Sequence, residues 1–334
     1  MPRMTLDQLE AIYHQPLFDL LSRAREAHEA HWPRREVQLC TLLSIKTGGC
    51  SEDCSYCAQS AHHATPVEPE PLLSKDSVMR VARAAKDNGS TRFCMGAAWR
   101  GVRETDKKFE QVLEIVRDVS SLGMEVCVTL GELTPAAAQR LRDAGVTAYN
   151  HNIDTSPEFY PNIVTTHTFE DRLRTIRAVQ DVGMSVCCGG IIGMGEALAD
   201  RLRMLEVVTG FDPAPESLPI NSLVPIPGTP LADLPRVDVF DVVRLIATAR
   251  IALPKTKIRL SAGREDMSRE AQALCFFAGA NSIFFGDKLL TTGNVGAEQD
   301  LALLRELGLE PQAPFTDVED PLPPGCPTEE AHAH

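Results

Sequence analysis

The chain has 334 residues, a formal net charge of −13, 43% hydrophobic residues and 24% charged ones, a size and balance that suit one large folded domain or two small ones. That acidic balance provides no basic stripe for neutralising phosphates, which argues against a nucleic-acid partner. No run approaches the roughly 18 uninterrupted apolar residues of a membrane span, so no membrane association is expected.

The first residues carry neither a long apolar stretch nor a small-residue cleavage site, so no export signal is expected. Ten cysteines without such a signal point to a reducing, cytoplasmic setting, where metal or catalytic use outranks disulfides. Residues 1–36 read as a helical extension. Thr5 with Gln8 makes a capping box ahead of the stripe Leu6, Leu9, Ile12 and Tyr13, and Pro16 opens a second helix carrying Leu17, Leu20, Leu21 and Ala24. A strand-like apolar run, Leu39 to Ile45, then leads into KTGGCSEDCSYC.

In that loop Cys50, Cys54 and Cys57 are spaced C-x3-C-x2-C. A closed zinc site takes four ligands, and an ordinary iron–sulfur cluster takes four cysteines. Either the fourth ligand comes from elsewhere in the chain, or one metal is left open for a substrate. His62 and His63, just past the loop, suit solvated positions better than ligand positions.

From there a unit repeats: a helix ends on glycine, two or three residues follow, and an apolar strand begins. Gly89, Gly123, Gly145 and Gly183 fit the left-handed position past a helix C-terminus, and AGANSIFFG is a looser copy. With SLPINSLVP, TKIRLSAG and the run at Leu39, eight strands alternate with amphipathic helices. This predicts a parallel (β/α)8 TIM-type barrel over 37–310, in preference to a doubly wound sheet, since no G-x-G-x-x-G opens a helix after the first strand. The stretch 311–334, rich in Pro and acid, is expected to be a flexible tail with an incidental Cys326.

Strand parity sorts side chains by face. Phe93 and Met95 oppose Arg92, Cys94 and Gly96; Val126, Val128 and Leu130 oppose Glu125, Cys127 and Thr129; Ile258 and Leu260 oppose Lys257, Arg259 and Ser261. The apolar sets must meet the helices, so the polar sets line the barrel. The same rule sends Cys187 inward and Cys188 outward, and turns Asn150, Asn152 and Asp154 inward. Buried polar groups are costly without partners, so this interior predicts a functional cavity holding a second, thiolate-bound centre. A guanidinium is always protonated in proteins, which suits Arg259 as a counter-charge to an anionic centre.

C-x3-C-x2-C with the aromatic Tyr56 before its last cysteine resembles the radical S-adenosylmethionine superfamily. The stretches TLLSIKTGGCSEDCSYCAQS, TRFCMGAAW, YNHNIDTSPEFY, GGIIGMGE, PINSLVPIPGTPL and RLSAGRE are similar, within it, to the biotin synthase family. The resemblance implies that Cys50, Cys54 and Cys57 hold a [4Fe–4S] cluster whose open iron is chelated by S-adenosylmethionine. Cleavage of the sulfonium would give a 5′-deoxyadenosyl radical that abstracts hydrogen from dethiobiotin. Cys94, Cys127, Cys187 and Arg259 would ligate a [2Fe–2S] cluster, and a bridging sulfide of that cluster would be the sulfur inserted.

By the same resemblance, Asn152 and Asp154 would bind the ribose, with Tyr56 beside the cofactor. Gly193 and Glu196, in the G-x-I-x-G-x-x-E pattern with Gly189 and Ile191, would support the adenosine. Asn150, Asn152 and Asn221 would read the ureido ring of dethiobiotin, and Thr291 and Thr292 its carboxylate. A flavodoxin- or ferredoxin-type electron donor and a homodimer are implied. Cys40, Cys188 and Cys275 match no ligand position and are expected to pack as small buried side chains. Two alternatives stand beside this reading: a maturase- or mutase-like paralogue without sulfur insertion, and a non-catalytic metal-binding protein.

Overall fold

The computed structural model describes residues 3–313, so residues 314–334 of the expected tail, Cys326 included, lie outside the described residues. The N-terminal capping box forms as expected: Gln8 N donates to Thr5 Oγ1, and Thr5 N donates to Gln8 Oε1 at 2.9 Å. It starts α1 (Leu6–Tyr13), and α2 (Leu17–Glu29) follows with Pro16 as its N-cap. Both helices bury one stripe, Leu9 and Ile12 in the first and Leu20, Leu21 and Ala24 in the second.

The remainder runs β1 (Glu36–Lys46), α3 (Lys75–Asp87), β2 (Arg92–Ala97), α4 (Lys107–Ser120), β3 (Glu125–Thr129), α5 (Pro135–Asp143), β4 (Ala148–Asn150) and α6 (Phe169–Asp181). It continues through β5 (Ser185–Cys187), β6 (Gly190–Ile192), α7 (Leu198–Thr209), β7 (Ser217–Ser222) and α8 (Val239–Ala252). It ends with β8 (Lys257–Leu260), α9 (Arg269–Phe277), β9 (Ser282–Phe284), α10 (Ala297–Glu306) and β10 (Glu310–Pro311). Neighbouring strands pair in parallel, and β1 returns to β9 through Gln38↔Ser282 and Leu39↔Ile283, which closes a (β/α)8 barrel. β10 adds a short parallel rung outside it, Glu36↔Glu310.

The four glycines that end α3 to α6 have φ of 89°, 72°, 103° and 72°, the left-handed conformation that terminates each helix. The N-terminal helices dock on the outside of the barrel. Tyr13 Oη donates to Asp241 Oδ1 at 3.1 Å, and Arg244 Nη1 donates to the carbonyls of Tyr13 and Gln15 at 2.8 Å.

The fifth barrel strand differs from the continuous run expected from MSVCCGGIIG. It is split into β5, paired with β4 and β7, and β6, paired with β7 and bridged to Asp154. The break falls at Cys188 and Gly189. A Cβ on Gly189 would come within 2.0 Å of the Pro219 carbonyl oxygen, so the chain can cross there only as glycine.

Phe93, Met95, Val126, Val128, Tyr149, Val186, Cys188, Ile258 and Leu260 belong to one apolar core between strands and helices. Cys275, on α9, is buried in the same core. Cys94, Cys127 and Cys187 form a separate buried group on the opposite, lumen-facing side. None of the described helices is long and apolar enough to cross a membrane.

Candidate active site

At the C-terminal end of β1 the chain turns through Gly48 and Gly49, both left-handed at φ 65° and 63°. Lys46 Nζ donates to the carbonyls of Gly48 and Ala98. The cysteine loop is then held by its own backbone: Cys50 N donates to Gln59 O at 2.9 Å, Ala61 N to Cys50 O at 2.7 Å, and Cys57 N to Cys54 O at 2.9 Å. It is also tied to the segment after β4, where Ser55 N donates to Ile163 O and Thr165 N donates to Asp53 Oδ1, both at 2.9 Å. Burial works to raise the Asp53 carboxyl, but the hydroxyls and amides of Thr165 and Thr166 outweigh it and hold the group well below the usual carboxylate range.

Cys54 is buried, and Cys50 and Cys57 are partly exposed. Burial pushes the Cys57 thiol up to about 11, and Cys54 higher still, so only a bound metal would hold them as thiolates at neutral pH. His62 and His63 sit beside the loop with Nε2 at 3.1 Å from Ser51 O and 3.0 Å from Cys54 O.

Between Cys54 and Cys57, Tyr56 Oη donates to Asp154 Oδ2 at 2.9 Å. Arg172, from α6, donates through Nη2 to the same oxygen at 3.0 Å and through Nε to Tyr160 Oη at 2.8 Å. Asp154 is the one non-glycine residue with positive φ, 66°, among the described residues. A strained backbone held by two charge-assisted bonds is the kind of over-determined point that clusters at functional sites. Arg172 carried no signal in the sequence, since an arginine on an amphipathic helix ordinarily faces water.

Deeper in the barrel, Cys94 and Cys127 face each other across the β2–β3 pair. Arg259, 1% exposed, lies beside them. Its Nε donates to Ser282 Oγ at 3.0 Å, its Nη1 is 3.4 Å from Cys187 Sγ, and its Nη2 has no partner. Burial opposes its charge, and the surrounding cysteines, Cys40 foremost, favour that charge once they are thiolates.

Cys40, expected to pack as a small buried side chain, is buried on the first strand. It is wholly buried on the lumen side, in the same group as Cys94, Cys127 and Cys187. The reason is parity: Val37 and Leu39 face the helices, so Cys40 must face in. Beneath these thiols the barrel is closed by ion pairs: Arg92 Nε to Glu125 Oε2 at 2.6 Å, Arg92 Nη2 to Glu216 Oε2 at 2.8 Å, and Lys257 Nζ to Glu216 Oε1 at 3.0 Å.

A cavity of about 200 Å³ lies beside the cysteine loop. Tyr56 and Cys57 line it on the loop side, with Asn221, Thr291 and Thr292 around it. Leu42 and Phe284 line it too, and both pack directly against the inner cysteines. Asn150, Asn152, Asp154, Gly193 and Glu196 are not among its lining residues. Asn150 Nδ2 donates to Asn152 Oδ1 at 3.2 Å and lies 3.3 Å from Cys187 Sγ; Asn152 Oδ1 also accepts from Gly189 N at 3.1 Å. Asn221 bridges backbone, donating to Gly190 O at 3.0 Å and accepting from Ala262 N at 3.2 Å. Glu196 folds back on its own loop, accepting from Gly193 N at 2.8 Å, Met194 N at 2.6 Å and Arg201 Nε at 2.7 Å.

Among the described residues, no three His, Cys, Asp or Glu side chains gather closely enough for one metal ion. Thiolates on separate irons of a cluster stand farther apart than ligands of one ion. The inner donors are soft sulfurs, and Arg259 beside them has Nη1 at 3.4 Å from Cys187 Sγ and a buried, unpartnered Nη2. Both sites therefore fit polynuclear iron–sulfur groups.

The pattern described as "Radical SAM superfamily" matches residues 44–208, and that of the "Biotin and Thiamin Synthesis associated domain" matches residues 219–310. The chain is 58% identical over 308 residues to a biotin synthase of Gloeobacter violaceus, covering 92% of this chain and 96% of that one. It is 56% identical over 306 residues to a biotin synthase of a Methylobacterium species, covering 91% and 92%. Among solved structures, methylornithine synthase superposes with a TM-score of 0.77 at 19% identity, covering 93% of this chain and 95% of that one. The FeFe-hydrogenase maturase of Carboxydothermus hydrogenoformans superposes with a TM-score of 0.79 at 18% identity, covering 93% and 76%. At such identities these two share the fold.

Proposed function

The chain belongs to the biotin synthase family of the radical S-adenosylmethionine superfamily, and from that premise we propose how its own residues divide the reaction. It is a sulfurtransferase that converts dethiobiotin to biotin, the last step of biotin formation, with a [4Fe–4S] cluster and S-adenosylmethionine. In our reading Cys50, Cys54 and Cys57 hold that cluster, while Cys94, Cys127, Cys187 and Arg259 hold a [2Fe–2S] cluster. Bound there, these groups supply reductive cleavage of a sulfonium above and an insertable sulfide below.

The remaining work falls to the protein's own atoms. Tyr56 and Arg172 fix Asp154 in place through one oxygen, so that its other carboxylate oxygen and the Asn152 amide nitrogen can meet the hydroxyls of a ribose. Glu196 closes the Gly193 loop and gives the adenosine a rigid wall. Asn150, Asn152 and Asn221 meet a ureido ring, and Thr291 and Thr292 a carboxylate, at opposite ends of the substrate. Leu42, Phe284 and Ile191 keep water from the space in which a carbon radical must survive.

One observation carries this reading. A single cavity has Tyr56 and Cys57 in one wall, and in another two side chains that pack on the inner cysteines. A substrate in it would lie between the two sulfur centres. The partly exposed Cys50 and Cys57 suit a flavodoxin- or ferredoxin-type donor arriving from outside, and we extend the reading to a cytoplasmic homodimer. The test is a single turnover with isotope-labelled sulfide built into the inner site. Label should appear in biotin, and Cys127→Ala should cleave S-adenosylmethionine without making biotin. Unlabelled biotin would refute the donor assignment.

A further inference from the structure

One inward thiol has no part in that scheme. Cys40, 0% exposed, shares a closed group with Cys94, Cys127, Ala148 and Cys187. Its Sγ lies 3.6 Å from Ser282 Oγ and 3.5 Å from Gln38 Oε1. Ser282 Oγ in turn accepts from Arg259 Nε at 3.0 Å, while Arg259 Nη1 lies 3.4 Å from Cys187 Sγ. Arg259 is therefore flanked by Cys187 directly and by Cys40 through one serine, and its Nη2 is buried with no partner.

We propose that Cys40 is a fourth sulfur donor of the inner site, able to replace Arg259 on the same iron. The proposal rests on the reading of the inner cysteines as an iron–sulfur site. Its chemistry favours sulfur: a guanidinium must give up a proton before it can bind iron, whereas thiolate is the ordinary ligand of such clusters. The exchange is balanced. The iron–nitrogen bond breaks, an iron–sulfur bond forms, and the proton leaving the Cys40 thiol is taken up by the departing arginine nitrogen, with no change in oxidation state. A site with this fifth donor keeps four attachments whenever Arg259 lets go.

The test uses full-length protein reconstituted anaerobically with iron and sulfide, comparing wild type, Arg259→Leu, Cys40→Ser and the double variant. Iron and sulfide per chain should be as high in Arg259→Leu as in wild type, and the double variant should lose the inner cluster's share while keeping the outer one. Loss of the inner iron in Arg259→Leu alone, or its retention in the double variant, overturns the proposal. A second readout does not depend on how the double variant folds. In protein labelled with ¹⁵N-arginine, the nitrogen coupling to the reduced inner cluster should grow in Cys40→Ser, because exchange is blocked; an unchanged coupling also overturns it. If wild type and Cys127→Ser hold equal iron, the inner-site reading itself has failed and Cys40 falls with it.

Discussion

Replacing Arg92 with methionine tests whether the floor of the barrel is an electrostatic seal. Arg92 is 1% exposed and holds Glu125 at 2.6 Å and Glu216 at 2.8 Å. Methionine matches its bulk but leaves two buried carboxylates to share Lys257, which is 3.0 Å from Glu216 and 4.0 Å from Glu125. Breaking a buried pair by removing one partner costs about 3–5 kcal/mol, because the remaining charge stays uncompensated. With an unfolding entropy of about 2 cal/mol/K per residue, that lowers the Tm of a 334-residue chain by roughly 4–7 °C.

The pH dependence gives a second handle. Burial works to raise Glu216, but Arg92 and Lys257 outweigh it and hold its carboxyl far below the usual range. A depressed carboxyl stabilises the fold above its unfolded pKa of about 4.3, and that stabilisation fades as pH falls below it. The gap between wild type and Arg92→Met should therefore be constant from pH 6 to 8, to within about 0.5 kcal/mol, and narrow below about pH 4.5. Iron-free protein followed by circular dichroism during heating and urea titration reads both. A loss under about 1 kcal/mol, or a gap that stays flat in acid, refutes the argument.

Cys54→Ala should strip the outer cluster's iron and abolish S-adenosylmethionine cleavage, read by metal analysis and methionine release; retained cleavage rules out the loop's role. Glu196→Ala removes the acceptor shared by two amides and Arg201, and should lower unfolding free energy by about 2 kcal/mol in urea melts. His28 is buried on α2, and burial, helped by Arg250 and Arg25, lowers its pKa to about 4. Stability is then complete above the unfolded value of about 6.5 and declines as pH falls toward 4. His28→Leu should flatten that slope by roughly 2 kcal/mol between pH 7 and 4.5, and an unchanged slope in melts across that range excludes His28 as its source.

Much of the barrel was legible because local chemistry and global fold agree. A glycine that ends a helix announces itself beside an amphipathic run, and period-two alternation in RFCMGA, EVCVT and KIRL reports which side chains face in. Cys40 escaped because its strand is apolar on both faces near it, so alternation is weak. The polar Gln38 two residues earlier was the one mark of the inward face. Glu216 was invisible for a different reason, since it lies just before its strand and acquires its partners only when β7 closes on β2 and β8. Arg172 and the Asp154 backbone belong to tertiary geometry alone. The same is true of the break at Gly189, which depends on how closely Pro219 approaches.

β1 has one further consequence. It is hydrogen-bonded to β2 on one side and β9 on the other, and it runs from the depth of Cys40 to Lys46, where the outer loop begins. At about 3.3 Å per residue that interval is a covalent calliper of about 20 Å, paired with β2 along its length and with β9 at its inner end. Its single irregularity, the register shift between Ser44 and Lys46, falls at the outer end. The spacing between the two depths is thus a bond-length property of one segment, insensitive to movement of the surrounding helices. A one-residue deletion between Cys40 and Ser44 would shorten the calliper by about 3 Å and turn Cys40 to the opposite face.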